Sequence, residues 1–434
     1  MYNSRLYLKN KLLNQSFFSL VVKSANILIG LGLSIIFTRM LSQEDFGIYS
    51  YAVSLMLLVT VVVQFGFPTF AIRETSKNLA LKQPDKLFSL WKCLQINMLS
   101  LSIISIICLF AGFQFFNVEK VYYWGIFLIP LLSLERLYSA ILRGMGYISN
   151  GLFAEHIIRP GLLLVMIFLL YLLNINTTVE NLMIMHVFSA VIALIFAFSV
   201  FTILKKRQVK IQGEYRCLSC NPRHWYSKTS NFAFARFASQ LNAVIGVILL
   251  GFYEMQNEVA IFKISQQVAM IVIFGSMVID AAFSPYFSSL HSLGELNKLK
   301  KLVKINTWIS FSFAMLSMSI IVFYGEKILE LLFGVEYIAA YSILIIIATG
   351  QLVSASFGPV AVLLGMVNLE NRVFHGLLIS VVINLGLGLL LVKSYGIVGV
   401  SVALLFSITI YNIFLWRVAR LNINIDTFVF SVRG

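Results

Sequence analysis

The chain has 434 residues, 59% of them hydrophobic and only 12% charged, with a mean hydropathy of +0.89. Soluble domains run at roughly 45–50% apolar and about 25% charged, so this composition excludes a water-soluble globular protein. The formal net charge of +15 needs no nucleic acid to explain it, because Lys and Arg flanking membrane spans meet anionic lipid, and no folded soluble segment is left for nucleic acid to bind.

In lipid, backbone groups must bond within their own segment, and crossing about 30 Å of hydrocarbon takes roughly 20 apolar residues in a helix. Apolar runs of that kind predict spans at 14–37, 46–67, 90–112, 121–142, 152–173 and 183–204, then at 231–252, 262–284, 305–324, 338–364, 373–392 and 396–416. The first run is too long for a signal-peptide core and lacks a small-residue cleavage site, so it is expected to remain as an anchor with the mature chain starting near Met1.

Lys and Arg collect on alternate loops, including Lys82, Lys86, Lys205, Lys206, Arg207, Lys210, Lys298, Lys300, Lys301 and Lys304, whereas the opposite side holds only Arg39, Lys120, Lys327 and Lys393. Cytoplasmic loops are enriched in basic residues, which predicts that both termini are cytoplasmic. The longest polar stretch contains Cys217-Leu-Ser-Cys220 and His224. No second cysteine pair accompanies it, so it reads as two unpaired thiols in a basic loop rather than as a zinc site. Cys93 and Cys108 read as small core residues.

The two sets of six spans have the form of repeats. Phe67-Pro68 ends the second span of the first half, Ser284-Pro285 its counterpart, and each is followed by a basic loop. Six being even, both halves enter from the same side, as parallel repeats that commonly leave a cavity between them. The expected domains are a bundle at 1–204, a cytoplasmic basic linker at 205–230 and a second bundle at 231–434.

Four stretches carry a family likeness: TRMLSQEDFGIYSYAVSL after the first span, FGFPTFAIRETSK after the second, LFGVEYIAAYSILIII before the tenth and KSYGIVGVSVALLFS at the twelfth. Together, in this order, the chain resembles the polysaccharide or O-antigen-type flippases of the multidrug/oligosaccharidyl-lipid/polysaccharide exporter superfamily. Many relatives carry an acidic residue late in the seventh helix, whereas NAVIGVILLG (242–251) has none. The resemblance implies an all-α integral membrane fold of about twelve transmembrane helices in two six-helix bundles with a central V-shaped cavity. It also implies transport of an undecaprenyl-diphosphate-linked oligosaccharide to the outer leaflet of a bacterial cytoplasmic membrane. A polysaccharide polymerase and a chain-length regulator would be partners, and no cofactor, metal or covalent step is expected.

Basic residues inside the spans would cost about 2.5–3.5 kcal/mol each if they faced lipid at mid-depth, so they pair, snorkel or face water. Lys23 lies nine residues into its span, about 14 Å deep at 1.5 Å per residue, and is the first choice for an anion-binding cavity residue. The alternatives are a structural ion pair or a snorkelling chain. Asn26, one turn on, could add a hydrogen bond on the same face. Arg136, Arg159 and Arg236 are further substrate-binding candidates; against them stand a helix-internal Glu155–Arg159 pair beside Pro160 and snorkelling of Arg136 and Arg236. Lys92 and Lys263, at helix edges, read as anchors. Glu135, Glu155 and Asp280 are candidates for ion coupling, with simple charge balance as the alternative. A membrane glycosyltransferase or polymerase is the enzyme alternative; short outer loops stand against a polymerase, and without a GxxxxGK[ST] sequence the chain hydrolyses no ATP by a P-loop. Against an exporter of cationic drugs stands the excess of basic over acidic residues in the spans.

Overall fold

A computed structural model describes residues 2–116, 118–175, 177–208 and 222–431. In chain order the helices are α1 (Tyr2–Met40), α2 (Gln43–Gln64), α3 (Phe67–Ala80), α4 (Pro84–Phe116), α5 (Lys120–Gly125), α6 (Leu128–Gly144) and α7 (Ile148–Phe153). A π-helical turn, Ala154–Ile158, leads into α8 (Arg159–Leu172), followed by α9 (Val179–Gln208), α10 (Pro222–Phe252), α11 (Gln256–Ser292) and α12 (Leu296–Phe333). A short 3₁₀ turn, Val335–Tyr337, precedes α13 (Ala340–Ser356), α14 (Val360–Met366) and α15 (Glu370–Ile423).

Ten stretches of the described residues are long and apolar enough to cross a membrane, α5 with α6 and α7 through α8 each counting as one, and α13 with α14, bent by 44°, makes an eleventh. The 54 residues of α15 would extend about 80 Å, far more than one bilayer. Its helix is interrupted at Gly396, whose φ of 51° and ψ of −130° are non-helical, and the two parts correspond to the eleventh and twelfth predicted spans. The chain is therefore a multi-pass helical membrane protein, with ten or eleven candidate spans among the described residues and one more where α15 is counted as two. Its outer faces carry exposed Ile103, Ile107, Leu172, Phe188, Leu316 and Leu390, an apolar surface suited to acyl chains.

Contacts divide the chain into two units, Met1–Leu41 with Ala52–Gln240, and Ser42–Tyr51 with Leu241–Gly434. The division falls inside α2 and α10, whereas the sequence places it at the polar stretch 205–230. In the first unit α6 lies against α3, α4, α7 and α9. Its core gathers Phe67 and Phe70 of α3, Trp91, Leu94 and Met98 of α4, Leu137 and Ile141 of α6, and Phe201 of α9. Trp91 is anchored by its Nε1, which donates to Thr75 Oγ1 at 3.0 Å.

The stretch after the second span is expected as a basic loop, but it folds as α3. Phe67, Phe70, Ala71, Thr75 and Asn78 are buried, while Arg73 and Lys77 point outward with side chains 63% and 60% exposed. A helix that buries one stripe and solvates the other is amphipathic, and its mixed composition looks polar when read linearly. The supposed repeat diverges here: Pro68 opens α3 after a break at Phe65 and Gly66, both at positive φ, whereas Pro285 lies inside the continuous α11.

In the second unit α11 packs on α12 and α13, and α13 and α14 pack on α15. The end of the chain folds back after Ile423. Thr307 Oγ1 donates to the Thr427 carbonyl at 3.2 Å, Val429 N–H to the Ser356 carbonyl at 2.9 Å, and Trp416 Nε1 to Asp426 Oδ1 at 2.8 Å. Residues Cys217 and Cys220 and the side chain of His224 lie outside the described residues. Cys93 is buried, and Cys108 is exposed rather than part of a core.

Candidate anion-binding site

Within the first unit lies a cavity of about 430 Å³, inside the range of roughly 300–1,000 Å³ found for small-ligand sites. Lys23 of α1, Arg136 and Arg143 of α6 and Arg236 of α10 line it, with Glu155 and His156 of the π turn and Gln64 at the end of α2. The start of α3 closes the wall through Gly66, Pro68 and Thr69. Among the described residues, four cations thus face one carboxylate. Such an excess in a space of restricted dielectric attracts an anion more strongly than the same charges would on an open surface.

Gly66 makes this arrangement close. Its φ is +71°, and a Cβ built there would come within 2.7 Å of Ala233 N and 2.8 Å of the Thr229 carbonyl. Only a residue without a side chain lets α10 lie directly on the α2–α3 break. The contact at Ala233 also brings Arg236, one turn further along α10, to the cavity.

Two buried ion pairs stand in or beside this wall. Arg136 Nε donates to Glu155 Oε1 at 3.0 Å, with side chains 13% and 9% exposed. Arg159 NH1 donates to Glu135 Oε2 at 3.2 Å, with 15% and 0% exposed. This corrects two expectations. Glu155 does not pair with Arg159 on its own helix, and Arg136 does not snorkel to the surface. The π turn inserts a residue into the helical register between 155 and 159, so the i,i+4 alignment is lost. Glu135 and Arg136, being neighbours on a helix, point about 100° apart and reach different partners. Glu135 and Arg159 form the pair that does not line the cavity.

The remaining candidates separate by place. Lys23 and Arg236 are exposed to the cavity, and among the described residues no carboxylate lies within ion-pairing distance of either. Asn26 is half-buried and not part of the lining. Asp280 belongs to the second unit, beside Asn306, with a buried Oδ1 that has no hydrogen-bond partner among the described residues. Lys92 is exposed and Lys263 half-buried. No group of three or more His, Cys, Asp or Glu suited to a metal occurs among the described residues.

Three polar lining residues escape the sequence reading. Arg143 falls just past the predicted end of its span. Gln64 and Thr69 carry no charge to draw attention, although Gln64 is 2% exposed, accepts from Arg136 NH1 at 3.5 Å and leaves its buried Nε2 without a partner among the described residues.

Comparison with known proteins places these features. The chain is 24% identical over 167 residues to a probable low-salt glycan biosynthesis flippase, Agl15, of Haloferax volcanii, a stretch that is 38% of this chain and 35% of that relative. The match thus spans about a third of the curated relative's length. Among solved structures, an inward-facing multidrug resistance MATE family transporter of the MOP superfamily aligns with a TM-score of 0.74 at 14% identity, covering 94% of this chain and 98% of its own. The lipid II flippase MurJ in an inward closed conformation aligns at 0.72 and 15% identity, covering 93% and 87%. At such identities these two show the shared fold. A family model described as polysaccharide biosynthesis protein matches residues 12–291. Matching well over half its length, this chain belongs to the polysaccharide biosynthesis protein family.

Proposed function

We propose that the chain is a flippase that moves a lipid-linked oligosaccharide from the cytoplasmic to the outer leaflet of the cell membrane for surface polysaccharide synthesis. The cargo we assign is an undecaprenyl-diphosphate-linked repeat unit, with O-antigen or capsule as the product. The observation that carries this reading is the cavity with four cations against one carboxylate, in a chain whose family makes polysaccharide and whose curated relative is named a glycan flippase. Lys23 and Arg236 would take the phosphate, while the lipid tail stays in the bilayer. Alternating access would carry the headgroup across, with no covalent step and both termini cytoplasmic.

The charge of the cargo also supplies a drive. A membrane potential negative inside favours export of an anion by about 2.3 kcal/mol per charge per 100 mV, provided the carrier moves no compensating charge. Glu155 and Asp280 are the residues that would mediate coupling to a cation if the potential does not suffice. A second reading, export of cationic drugs, has the MATE fold in its favour and the sign of the cavity charge against it.

In a strain lacking the gene, Lys23→Ala should abolish or sharply reduce surface polysaccharide while inserting at normal levels, and Lys23→Arg should keep part of the activity. Full complementation by Lys23→Ala would remove Lys23 from the site.

A further inference from the structure

We propose that the amino-terminal turn of α3, together with the Gln64 side chain, is the seat of a phosphoryl group in the first unit's cavity. This deepens the anionic-cargo reading and rests on it. The cations attract an anion from any direction, but they do not say where it comes to rest. The α2–α3 break does.

The first turn of a helix presents N–H groups that have no intrahelical carbonyl to reach, and its end carries about half a positive charge. Here the chain turns sharply at Phe65, with φ 40°, and Gly66, with φ 71°, before α3 begins. Gly66, Pro68 and Thr69 line the cavity, so α3 starts at the cavity wall. Pro68 has no N–H to offer, and the Thr69 N–H is the donor that this turn retains in the lining. A helix start alone would be an ordinary structural feature, and Gln64 supplies the second observation. It is 2% exposed and lines the same cavity. Its Oε1 is used by Arg136, and its Nε2 is buried with no hydrogen-bond partner among the described residues.

A buried amide donor without an acceptor is costly, and the orientation is fixed, because exchanging the amide's oxygen and nitrogen would set a donor against the Arg136 guanidinium. A phosphoryl group held at this break would accept from both donors, Gln64 Nε2 at the end of α2 and Thr69 N–H at the start of α3. Lys23 and Arg236, without carboxylate partners among the described residues, balance its charge. Gln64 is thus a neutral specificity residue. It selects an oxyanion with acceptors, rather than any group of negative charge.

Gln64→Glu separates this role from mere support of Arg136, because a carboxylate accepts from the guanidinium at least as well as the amide does. It cannot donate, and it repels phosphate. Thr69→Pro removes the backbone donor at unchanged charge, and Arg73→Gln, on the outward face of α3, serves as the control. Full-length protein in nanodiscs would be titrated with inorganic pyrophosphate and, separately, with undecaprenyl diphosphate. We expect Gln64→Glu and Thr69→Pro each to weaken binding about tenfold or more, as loss of a charge-assisted bond does, with Arg73→Gln unchanged. Weakening with both probes shows that the phosphoryl group itself is held; binding and weakening confined to undecaprenyl diphosphate identify the lipid headgroup as the ligand.

Wild-type affinity in Gln64→Glu overturns the inference, as does failure of the unmodified protein to bind either probe. If Thr69→Pro melts well below wild type, the Gln64→Glu comparison decides alone. Pyrophosphate binding that depends on Gln64, in a protein that translocates no lipid-linked glycan, would refute the cargo and leave the phosphoryl site standing. Translocation with affinity indifferent to Gln64 would do the reverse.

Discussion

Removing the Glu135 carboxylate should destabilise the first unit severely, and removing its partner as well should largely repair the damage. Glu135 is fully buried, and its Oε2 is 3.2 Å from Arg159, whose side chain is 15% exposed. In Glu135→Leu the guanidinium keeps its burial and loses its counter-ion. The penalty for an uncompensated charge of that kind is about 3–5 kcal/mol. It is far above the median of about 0–1 kcal/mol for pairs in water. The double variant Glu135→Leu/Arg159→Leu leaves no charge behind and packs apolar groups in the same space, so it should lie within about 1 kcal/mol of wild type. Unfolding in mixed micelles, with a full double-mutant cycle, measures both quantities. Single changes costing less than about 1 kcal/mol, or a double variant as unstable as the sum of the singles, would refute the buried pair. Since Glu135 and Arg159 do not line the cavity, the repaired double variant should retain anion binding.

Gly66→Ala should destabilise by about 1–3 kcal/mol from backbone conformation alone, with the crowding against Ala233 N and the Thr229 carbonyl added to it. A melting temperature equal to wild type would show that the α2–α3 break is not as close to α10 as described. For orientation, a cysteine placed between Glu326 and Glu336 should react with an impermeant maleimide in intact cells, and one near Lys300 only after lysis. The reverse pattern would invert the direction of transport. If transport runs on potential, flipping should quicken in proteoliposomes under an imposed potential without a cation gradient. Indifference to potential with dependence on a cation gradient would assign the drive to antiport.

The spans were legible because lipid leaves the chain little choice: a helix of about 20 apolar residues is the solution that composition alone announces. Even the two spans merged in α15 could be separated in advance, through the Ser-Tyr-Gly stretch at 394–396 where Gly396 breaks the helix. The identity of α3 was hidden because Arg73, Lys77 and their neighbours resemble a basic loop until Phe67, Phe70 and Ala71 are placed on one face. Lys23, Arg136, Arg236 and Glu155 could be singled out by depth and charge, and the cavity does gather them. Their pairing could not be read. Glu155 and Arg159 have the spacing of a helix-internal pair, and nothing in the residues 154–158 announces the π turn that separates them. Gln64 was invisible for a different reason: an amide at the end of an apolar run becomes informative only when its unpartnered nitrogen is seen beside the start of another helix.

The central claim is that this chain moves a phosphate-linked glycan lipid between leaflets. The most direct measurement reconstitutes purified protein into liposomes carrying a fluorescent undecaprenyl-diphosphate oligosaccharide and follows loss of signal to an impermeant quencher. Wild-type protein should equilibrate the lipid between leaflets, and a Lys23→Ala/Arg236→Ala variant of equal stability should fall to the rate of empty liposomes. Equal rates for wild-type protein and empty liposomes, or for wild-type and the double variant, would contradict the account.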